Sequence, residues 1–201
     1  MSTAAILAGG RARRLGGRDK SQLVIDGGTI FDRQLHVLRS VVDHVIVVAN
    51  DPDRFADRGV TVVEDLVRDA GALGGIYTAL SVAKEPVLVI ACDMPYLTAP
   101  FLTRVIEVSQ EADVAVPRTA DGYHPLCACY TQACAEPIGR RVRAGRLKVL
   151  DVFADLHVRT IDPVEIAGFD PDGLLLLNIN TPDDVVSAQK RSSSIGVTSA
   201  S

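Results

Sequence analysis

Short apolar runs alternate with segments of helical spacing along most of this sequence. The runs predict buried strands at residues 4–8, 44–49, 60–65, 86–92 and 112–117. Apolar residues at helical spacing fall between them, at residues 29–42, 74–84 and 97–110. Because strands that are apolar along their length are typical of sheets covered on both faces, this order predicts an α/β fold around a mainly parallel sheet.

The pattern becomes less regular after residue 118. Strands are predicted at residues 125–130 and 157–161, and helical segments at 131–145 and 148–155. Residues 174–189 then pass from strand to loop to helix, where we expect Thr181 to cap the helix and Pro182 to take its first position. In the same way, Thr98 is the expected cap of the helix that contains Pro100. We expect one domain over residues 1–188 and a disordered polar tail at 189–201.

Composition and charge limit the class of protein. The chain has 201 residues, of which 47% are apolar, and its formal net charge is -4. This composition predicts a globular protein, and the acidic balance argues against an extended surface for nucleic acids. The N-terminus lacks the basic start of a signal peptide, and no apolar run approaches the roughly 20 residues of a membrane span. The expected compartment is the cytoplasm.

The four cysteines form no CxxC pair. Cys127 and Cys129 are two positions apart, which would place both thiols on one face of a strand. We expect the cysteines to be reduced and partly buried, without a zinc site.

A glycine-rich, basic segment follows the first predicted strand: residues 7–27, LAGGRARRLGGRDKSQLVIDG. Ligands of open parallel sheets bind at the carboxyl ends of strands, so this loop is the first candidate site. A P-loop needs glycine immediately before its Lys-Ser pair, but Asp19 precedes Lys20 here. A dinucleotide-binding loop needs GxGxxG, and this spacing differs. The interpretation that fits better is a long loop that wraps a nucleoside triphosphate.

Two groups of residues in this loop suit a nucleotide. The first group lets the base and ribose lie close to the main chain: Leu7, Ala8, Gly9 and Gly10. The second group supplies cations against the roughly four negative charges of a triphosphate: Arg11, Arg13, Arg14, Arg18 and Lys20.

Three further positions carry candidate chemistry. Asp93 ends the most apolar strand, and a carboxylate at a strand end is a natural ligand for Mg²⁺. Gly74 and Gly75 open a predicted helix, so we expect their backbone N–H groups to be available to a base or a phosphate. Asn50 ends another strand, where an asparagine readily forms the turn before Pro52.

The segment LAGGRARRLGGRDKS resembles the N-terminal motif of Rossmann-like nucleotidyltransferases, LAGG-x-(S/A)-x-RMG-x-DK. Its double glycine is most similar to the molybdenum cofactor guanylyltransferase branch, the MobA family, because cytidylyltransferase relatives more often have LAAG. The resemblance implies a three-layer Rossmann-like nucleotidyltransferase fold with helices on both faces of the sheet. It also implies transfer of GMP from GTP to the terminal phosphate of molybdenum–molybdopterin, with release of pyrophosphate.

The resemblance also assigns roles to individual residues. The catalytic residues would be Arg14, Lys20 and Asp93, with Asp93 as the ligand of Mg²⁺, the implied cofactor. The nucleotide-binding residues would be Leu7, Ala8, Gly9, Gly10, Lys20, Asn50, Asp69, Gly74 and Asp93. The acceptor-binding residues would be His124, Asn178 and Asn180. Near Asp69 the sequence departs from the family pattern, because Ala72 replaces a proline and the spacing is one residue shorter.

The implied partners are GTP and molybdopterin or its molybdenum form, with a GTP-binding accessory protein and molybdoenzyme chaperones as further candidates. Neither a nucleic acid nor a membrane is expected. A related nucleotidyltransferase, acting on molybdopterin with CTP or on a sugar phosphate or phospholactate, would share the loop and Asp93. A non-catalytic module that binds a nucleotide and recruits a molybdoenzyme would be expected to lack Lys20 or Asp93, and both are present.

Overall fold

The computed structural model describes residues 2–9, 22–25, 27–179, 181, 183–184 and 186. The predictions for some residues therefore lie outside the described part of the chain: Gly10, Arg11, Arg13, Arg14, Arg18, Lys20, Asn180, Pro182 and the tail at 189–201. Within the described ranges, no helix has the length and apolar content needed to cross a membrane.

Strands and helices alternate along most of the chain. The strands are β1 (Thr3–Leu7), β2 (Val24–Ile25), β3 (Gly28–Thr29), β4 (His44–Val48), β5 (Thr61–Val63), β6 (Val87–Ala91), β7 (Val114–Thr119), β8 (Gly122–Tyr123), β9 (Cys127–Tyr130) and β10 (Val158–Ile161). The α-helices are α1 (Ile30–Arg39), α2 (Gly71–Ala83), α3 (Ala99–Val108), α4 (Ala135–Arg143) and α5 (Pro163–Ala167). Short 3₁₀ helices occupy Pro52–Arg58, Ser109–Glu111, Gln132–Cys134 and Val149–Asp155.

The main sheet has the strand order β10-β7-β9-β6-β1-β4-β5, with β8 paired to β7, and β2 and β3 form a separate antiparallel pair. The strands β6, β1, β4 and β5 are parallel, and the register pairs Leu7 of β1 with Ala91 on one side and Val48 on the other. The prediction of a mainly parallel sheet is confirmed. One strand, β9, runs antiparallel between β6 and β7, a direction that the apolar pattern does not specify.

Two apolar cores lie on opposite faces of this sheet. Along β1, Ala4 and Ile6 belong to one core and Ala5 and Leu7 to the other, because successive side chains of a strand point to opposite faces. Helices α1 and α3 contribute buried residues to the first core, and α2 and α4 to the second. The result is the three-layer arrangement that the resemblance implies.

The cysteines belong to these cores and are free thiols. Cys127 and Cys129 lie in the same core, as their spacing predicts. Burial raises the pKa of the Cys127 thiol to about 12 and that of Cys129 to about 11, so both are protonated and unreactive at neutral pH.

Three threonines lie at the N-terminal ends of helices, and two of them cap the helix through the side chain. Thr29 Oγ1 accepts a hydrogen bond of 3.1 Å from the Asp32 N–H at the start of α1. Thr98 is the N-cap of α3, with proline in the first turn as predicted, although its side chain makes no capping hydrogen bond. Thr181 Oγ1 accepts from the Asp184 N–H at 3.1 Å, and Asp184 Oδ2 accepts from the Thr181 N–H at 2.8 Å. This reciprocal pair confirms Thr181 as a helix cap.

Helix α2 begins earlier than the sequence predicts. The prediction placed Gly74 and Gly75 at its start, but the helix begins at Gly71. Gly71 has a φ of +59°, a left-handed conformation that glycine adopts without steric cost. The Gly74 N–H donates to the Ala70 carbonyl at 3.1 Å. The expectation of open N–H groups at Gly74 and Gly75 is therefore wrong, because both residues lie inside the helix.

Candidate active site

The parallel strands end at one edge of the sheet, where the polar residues predicted for the site follow them. Gly9 comes two residues after β1, and Asp93 comes two residues after β6. Since Leu7 and Ala91 are paired in register, Gly9 and Asp93 occupy equivalent positions beyond two neighbouring strands. Asn50 and Asp65 follow β4 and β5, on the other side of β1. The carboxyl edge of the sheet thus brings these four residues into one line.

On one side of Gly9, three side chains form what we name the β4–β5 cluster: Asn50, Asp65 and Thr78. Asn50 Nδ2 donates to Asp65 Oδ2 at 3.0 Å, and the Asp65 N–H donates to Asn50 Oδ1 at 3.3 Å. Thr78, buried in α2, accepts from the Leu66 N–H at 3.0 Å and donates to the Gly74 carbonyl at 2.9 Å. The loop that carries Asp65 is therefore fixed at two successive residues.

Asp65 lies directly against Gly9, in the first part of the glycine-rich segment at residues 7–27, which we call the nucleotide loop. A Cβ placed on Gly9 would be 3.2 Å from Asp65 Oδ2, so glycine permits this close approach. Asp65 Oδ1 is buried and has no hydrogen-bond partner among the described residues. Burial raises the pKa of Asp65, and the hydrogen bond from Asn50 opposes that shift.

The sequence analysis did not select Asp65. Its position offered the signal that selected Asp93, namely an acidic residue immediately after an apolar strand. The family pattern instead assigns the acidic residue of this loop to Asp69. Asp69 is exposed and has a φ of +59°.

On the other side of Gly9, three residues form what we name the β6–β9 cluster: Asp93, His124 and Asn178. The Ile179 N–H donates to the Asp93 carbonyl at 2.8 Å, so the segment containing Asn178 lies beside the turn after β6. The Asn178 side chain is exposed, and Asp93 is partly buried. This contact brings two of the residues predicted from the sequence to the same place.

A buried glutamine fixes the turn that carries Asp93. Gln34 in α1 donates through Nε2 to the Ala91 carbonyl at 2.7 Å and to the Met94 carbonyl at 3.0 Å. These two acceptors bracket Asp93, so the turn is fixed on both sides of the carboxylate. Gln34 is a positioning residue that the sequence does not reveal. A glutamine within an amphipathic helix gives no sign that it is buried or that it contacts a distant turn.

His124 lies near the same turn. The Ala91 N–H donates to the Leu126 carbonyl at 2.8 Å, which ties the segment after His124 to the end of β6. His124 Nε2 shares a hydrogen bond of 2.9 Å with Thr119 Oγ1. Burial lowers the pKa of His124, and the charge of Asp121 opposes this shift. This shift favours the neutral form of the imidazole.

Because Gly74 lies inside α2, the structure gives this residue a role in helix packing. A Cβ on Gly74 would lie 2.5 Å from Ala70 Cβ, and one on Gly75 would lie 3.2 Å from the Leu7 side chain. Both glycines are thus needed for close packing of α2 on β1 and on the preceding loop. The helix N–H groups without an intrahelical acceptor belong to residues 71–73. Contact of Gly74 with a nucleotide stays a prediction.

The donor set at Asp93 fits a magnesium ion that is also bound by substrate. In the described ranges, no three His, Cys, Asp or Glu side chains gather as a protein-only metal site. Mg²⁺ commonly uses one or two carboxylates and completes its shell with water and phosphate oxygens. Asp93, at a strand end beside a nucleotide loop, meets that requirement.

Comparison with known proteins gives consistent matches. Residues 4–158 match the MobA-like NTP transferase domain. The molybdenum cofactor guanylyltransferase of Desulfosudis oleivorans is 36% identical over 189 residues, covering 93% of this chain and 94% of that protein. A probable molybdenum cofactor guanylyltransferase of Pelotomaculum thermopropionicum is 34% identical over 189 residues, covering 94% of this chain and 92% of that protein. The solved structure of molybdopterin-guanine dinucleotide biosynthesis protein A from Archaeoglobus fulgidus has a TM-score of 0.80 and 27% identity, covering 96% of this chain and 99% of that one.

These matches extend over nearly the whole chain, and they confirm the resemblance drawn from the N-terminal motif. They also confirm the fold, because the solved relative has the same architecture. The chain belongs to the MobA-like NTP transferase family and is a nucleotidyltransferase.

Proposed function

We propose that this enzyme transfers GMP from GTP to the terminal phosphate of molybdenum–molybdopterin, which forms the guanine dinucleotide cofactor and releases pyrophosphate. The observation that carries the proposal is the pairing of β1 and β6, which sets Asp93 beside the start of the nucleotide loop. The names of the relatives, which are guanylyltransferases of the molybdenum cofactor, support GTP as donor and the pterin as acceptor.

The reaction needs charge neutralisation more than it needs a base. A terminal phosphate oxygen of the pterin attacks the α-phosphorus of GTP. The bond from this phosphorus to the oxygen that bridges the α- and β-phosphates then breaks, and pyrophosphate leaves with the electron pair. Because the attacking phosphate is already anionic near neutral pH, no proton has to be removed. Catalysis therefore depends on positioning and on compensation of negative charge.

We assign Asp93 to hold Mg²⁺ near the α-phosphate. When bound, Mg²⁺ neutralises charge on the phosphate oxygens that it contacts. Gln34 holds the backbone on both sides of Asp93, which keeps the turn that carries the carboxylate at the strand end. We assign Lys20 and Arg14 to the developing pyrophosphate; both lie outside the described residues.

We place the acceptor at the β6–β9 cluster. His124, whose lowered pKa favours the neutral form, and exposed Asn178 are available to hydrogen-bond the pterin or its phosphate. Asn180, outside the described residues, has the same proposed role. The accessory GTP-binding protein, the molybdoenzyme chaperones and the cytoplasmic location stay predictions of the sequence.

The decisive experiment supplies purified enzyme with molybdenum–molybdopterin, Mg²⁺ and GTP, CTP or ATP in turn. Of the three nucleotides, we expect only GTP to give pyrophosphate release and a dinucleotide product, which mass spectrometry should identify as the guanine dinucleotide. Chelation of the metal should abolish the reaction, and added Mg²⁺ should restore it. A preference for CTP would replace the proposed function with a cytidylyltransferase.

A further inference from the structure

Arg33, in helix α1, contacts two segments that the proposed reaction needs together. Its Nε donates to the Pro95 carbonyl and its Nη1 to the Ile25 carbonyl, each at 3.4 Å. Ile25 lies near the end of the nucleotide loop, five positions after Lys20. Pro95 lies in the turn after β6, two positions after Asp93. One guanidinium group therefore joins the nucleotide loop to the turn that carries the proposed metal ligand.

The aliphatic stem of Arg33 lies beside the hairpin that ends the nucleotide loop. Strands β2 and β3 form this hairpin, in which Ile25 is paired with Gly28. A Cβ placed on Gly28 would be 3.8 Å from Arg33 Cγ, an ordinary van der Waals distance. The arginine is partly buried, so its methylene groups cover the hairpin while its N–H groups reach the two carbonyls. The planar fork of donors on a guanidinium is what lets one side chain serve two separate acceptors.

A small apolar core gathers the same segments and is distinct from the two cores that cover the sheet. It joins the end of the nucleotide loop, the start of α1, the turn after Asp93 and the segment around Asn178. Its buried members are Ile25, Ile30, Leu174 and Ile179, with Leu23, Tyr96 and Leu177 packed against them. Because apolar burial is non-directional, a core of this size brings segments together without fixing their relative position. Hydrogen bonds are directional, and those of Arg33 supply that restraint.

We propose that Arg33 is a positioning residue for catalysis. It holds the end of the nucleotide loop against the turn of Asp93, so that Lys20 and the metal act on the same triphosphate. A displacement of about 1 Å between groups that act together can cost on the order of 100-fold in rate. This inference rests on the proposed roles of Lys20 and Asp93, and it does not depend on which base or which acceptor the enzyme uses.

Arg33→Ala removes the bridge between the two segments. We expect kcat/KM for GTP, measured with Mg²⁺ and molybdenum–molybdopterin, to fall about 30- to 100-fold. The matched control is Arg39→Ala, in the last turn of the same helix. Arg39 Nη2 also donates to two backbone carbonyls, those of Arg58 at 3.2 Å and Gly59 at 3.1 Å. This control should change kcat/KM less than about twofold. Equal losses of activity in the two variants would overturn the proposal, because they would show a general loosening of α1.

A double-mutant cycle with Lys20 gives a readout that a merely structural role would not move. If Arg33 acts by aligning Lys20 with the turn of Asp93, its loss should matter little once Lys20 is absent. In the Lys20→Ala background we therefore expect Arg33→Ala to lower kcat/KM by less than about threefold. Losses that multiply, as for two independent residues, would overturn the proposal and leave the proposed function standing.

Arg33→Lys separates position from charge, and it decides the question if the Lys20 variant is too slow to assay. Lysine keeps the positive charge but lacks the planar fork that reaches both carbonyls. We expect its kcat/KM to stay within about threefold of that of Arg33→Ala. Recovery to the wild-type value would refute the positioning role, because it would show that Arg33 supplies only charge. All variants are assayed with the nucleotide that the wild-type enzyme prefers, so a preference for CTP would replace the proposed function and leave this test intact.

Discussion

The β4–β5 cluster and the β6–β9 cluster lie on either side of Gly9, but they are held together differently. In the first, side chains hydrogen-bond to one another and to the adjacent backbone, so that Asn50 and Thr78 fix the loop of Asp65. In the second, the three named residues make no hydrogen bond to one another that the structure describes. A backbone hydrogen bond from Ile179 to Asp93 and the side chain of Gln34 hold the segments, while the Asn178 side chain is exposed.

This difference indicates two ways of recognising a substrate. The β4–β5 cluster is held by its own hydrogen bonds, so we expect it to keep its geometry when a nucleotide binds. In the β6–β9 cluster the Asn178 side chain is exposed, so we expect its order to arise on binding. Substitutions in the first cluster should therefore affect both stability and nucleotide use, and substitutions in the second should affect activity with little change in stability.

Asp93→Ala should have the largest effect, because we assign this residue to hold the metal at the reacting phosphate. We expect transfer, measured as pyrophosphate release, to fall about 1,000-fold or more, since charge compensation at the α-phosphate is lost. The thermal unfolding midpoint should change little, because the backbone contacts of the turn remain. Asp57→Ala, at an exposed position in a 3₁₀ helix, is the control. Wild-type turnover by the Asp93 variant would remove Asp93 from the metal-binding role.

Asn50→Ala tests whether the β4–β5 cluster is built into the fold. The Asp65 N–H and carboxylate both lose a partner, so the free energy of unfolding should fall by about 1–2 kcal/mol. We also expect the KM for GTP to rise about 10-fold, because Asp65 is no longer held against Gly9, a predicted nucleotide-binding residue. Urea unfolding and steady-state kinetics measure the two effects. A rise in KM with unchanged stability would show that Asn50 contacts the nucleotide and does not support Asp65.

Asn178→Ala is the matching change in the β6–β9 cluster. Because its side chain is exposed, unfolding free energy should stay within about 0.5 kcal/mol of the wild-type value. The KM for molybdopterin should rise several-fold, and equilibrium binding of GTP should not change. Loss of GTP binding in this variant would contradict the division between the two clusters.

The smallest expected effect is that of His124 on the pH dependence of stability. Burial lowers the pKa of His124 in the folded protein, whereas in the unfolded chain it is near 6.5. As pH falls through 6.5, the unfolded state takes up a proton that the folded state resists, so stability is lost on acidification. His124→Gln should reduce this loss between pH 7.5 and 5.5, by less than about 1 kcal/mol because the ring is only half-buried. An identical pH dependence in both proteins would show that His124 does not contribute.

The sequence predicts those elements of the fold whose apolar residues follow a regular pattern. The strands β1 and β6 follow from apolar runs, and the position of Asp93 follows from the rule that sites form at strand ends. The antiparallel direction of β9 does not follow, because apolar residues on a buried strand look the same in either direction. The start of α2 was misplaced because Gly71 adopts a left-handed conformation that no periodicity records.

The links between segments distant in the sequence could not be predicted from these patterns. Asp65 and Asn50 are 15 residues apart, and Gln34 reaches carbonyl groups 57 and 60 residues away. Each pair meets only because the sheet places their strands or helices side by side. The family resemblance supplied candidate residues for the site, but it did not supply these supporting contacts.

The order of strands at the sheet edge has a consequence for how such enzymes diversify. Groups more than about 7–10 Å apart with no shared partners usually have additive effects when they are changed. Residues beyond β5 and residues beyond β6 are separated by two intervening strands, so we expect substitutions at the two places to have additive effects on activity. A lineage built on this edge can therefore acquire a new nucleotide or a new acceptor in separate steps, each of which leaves a working intermediate for selection.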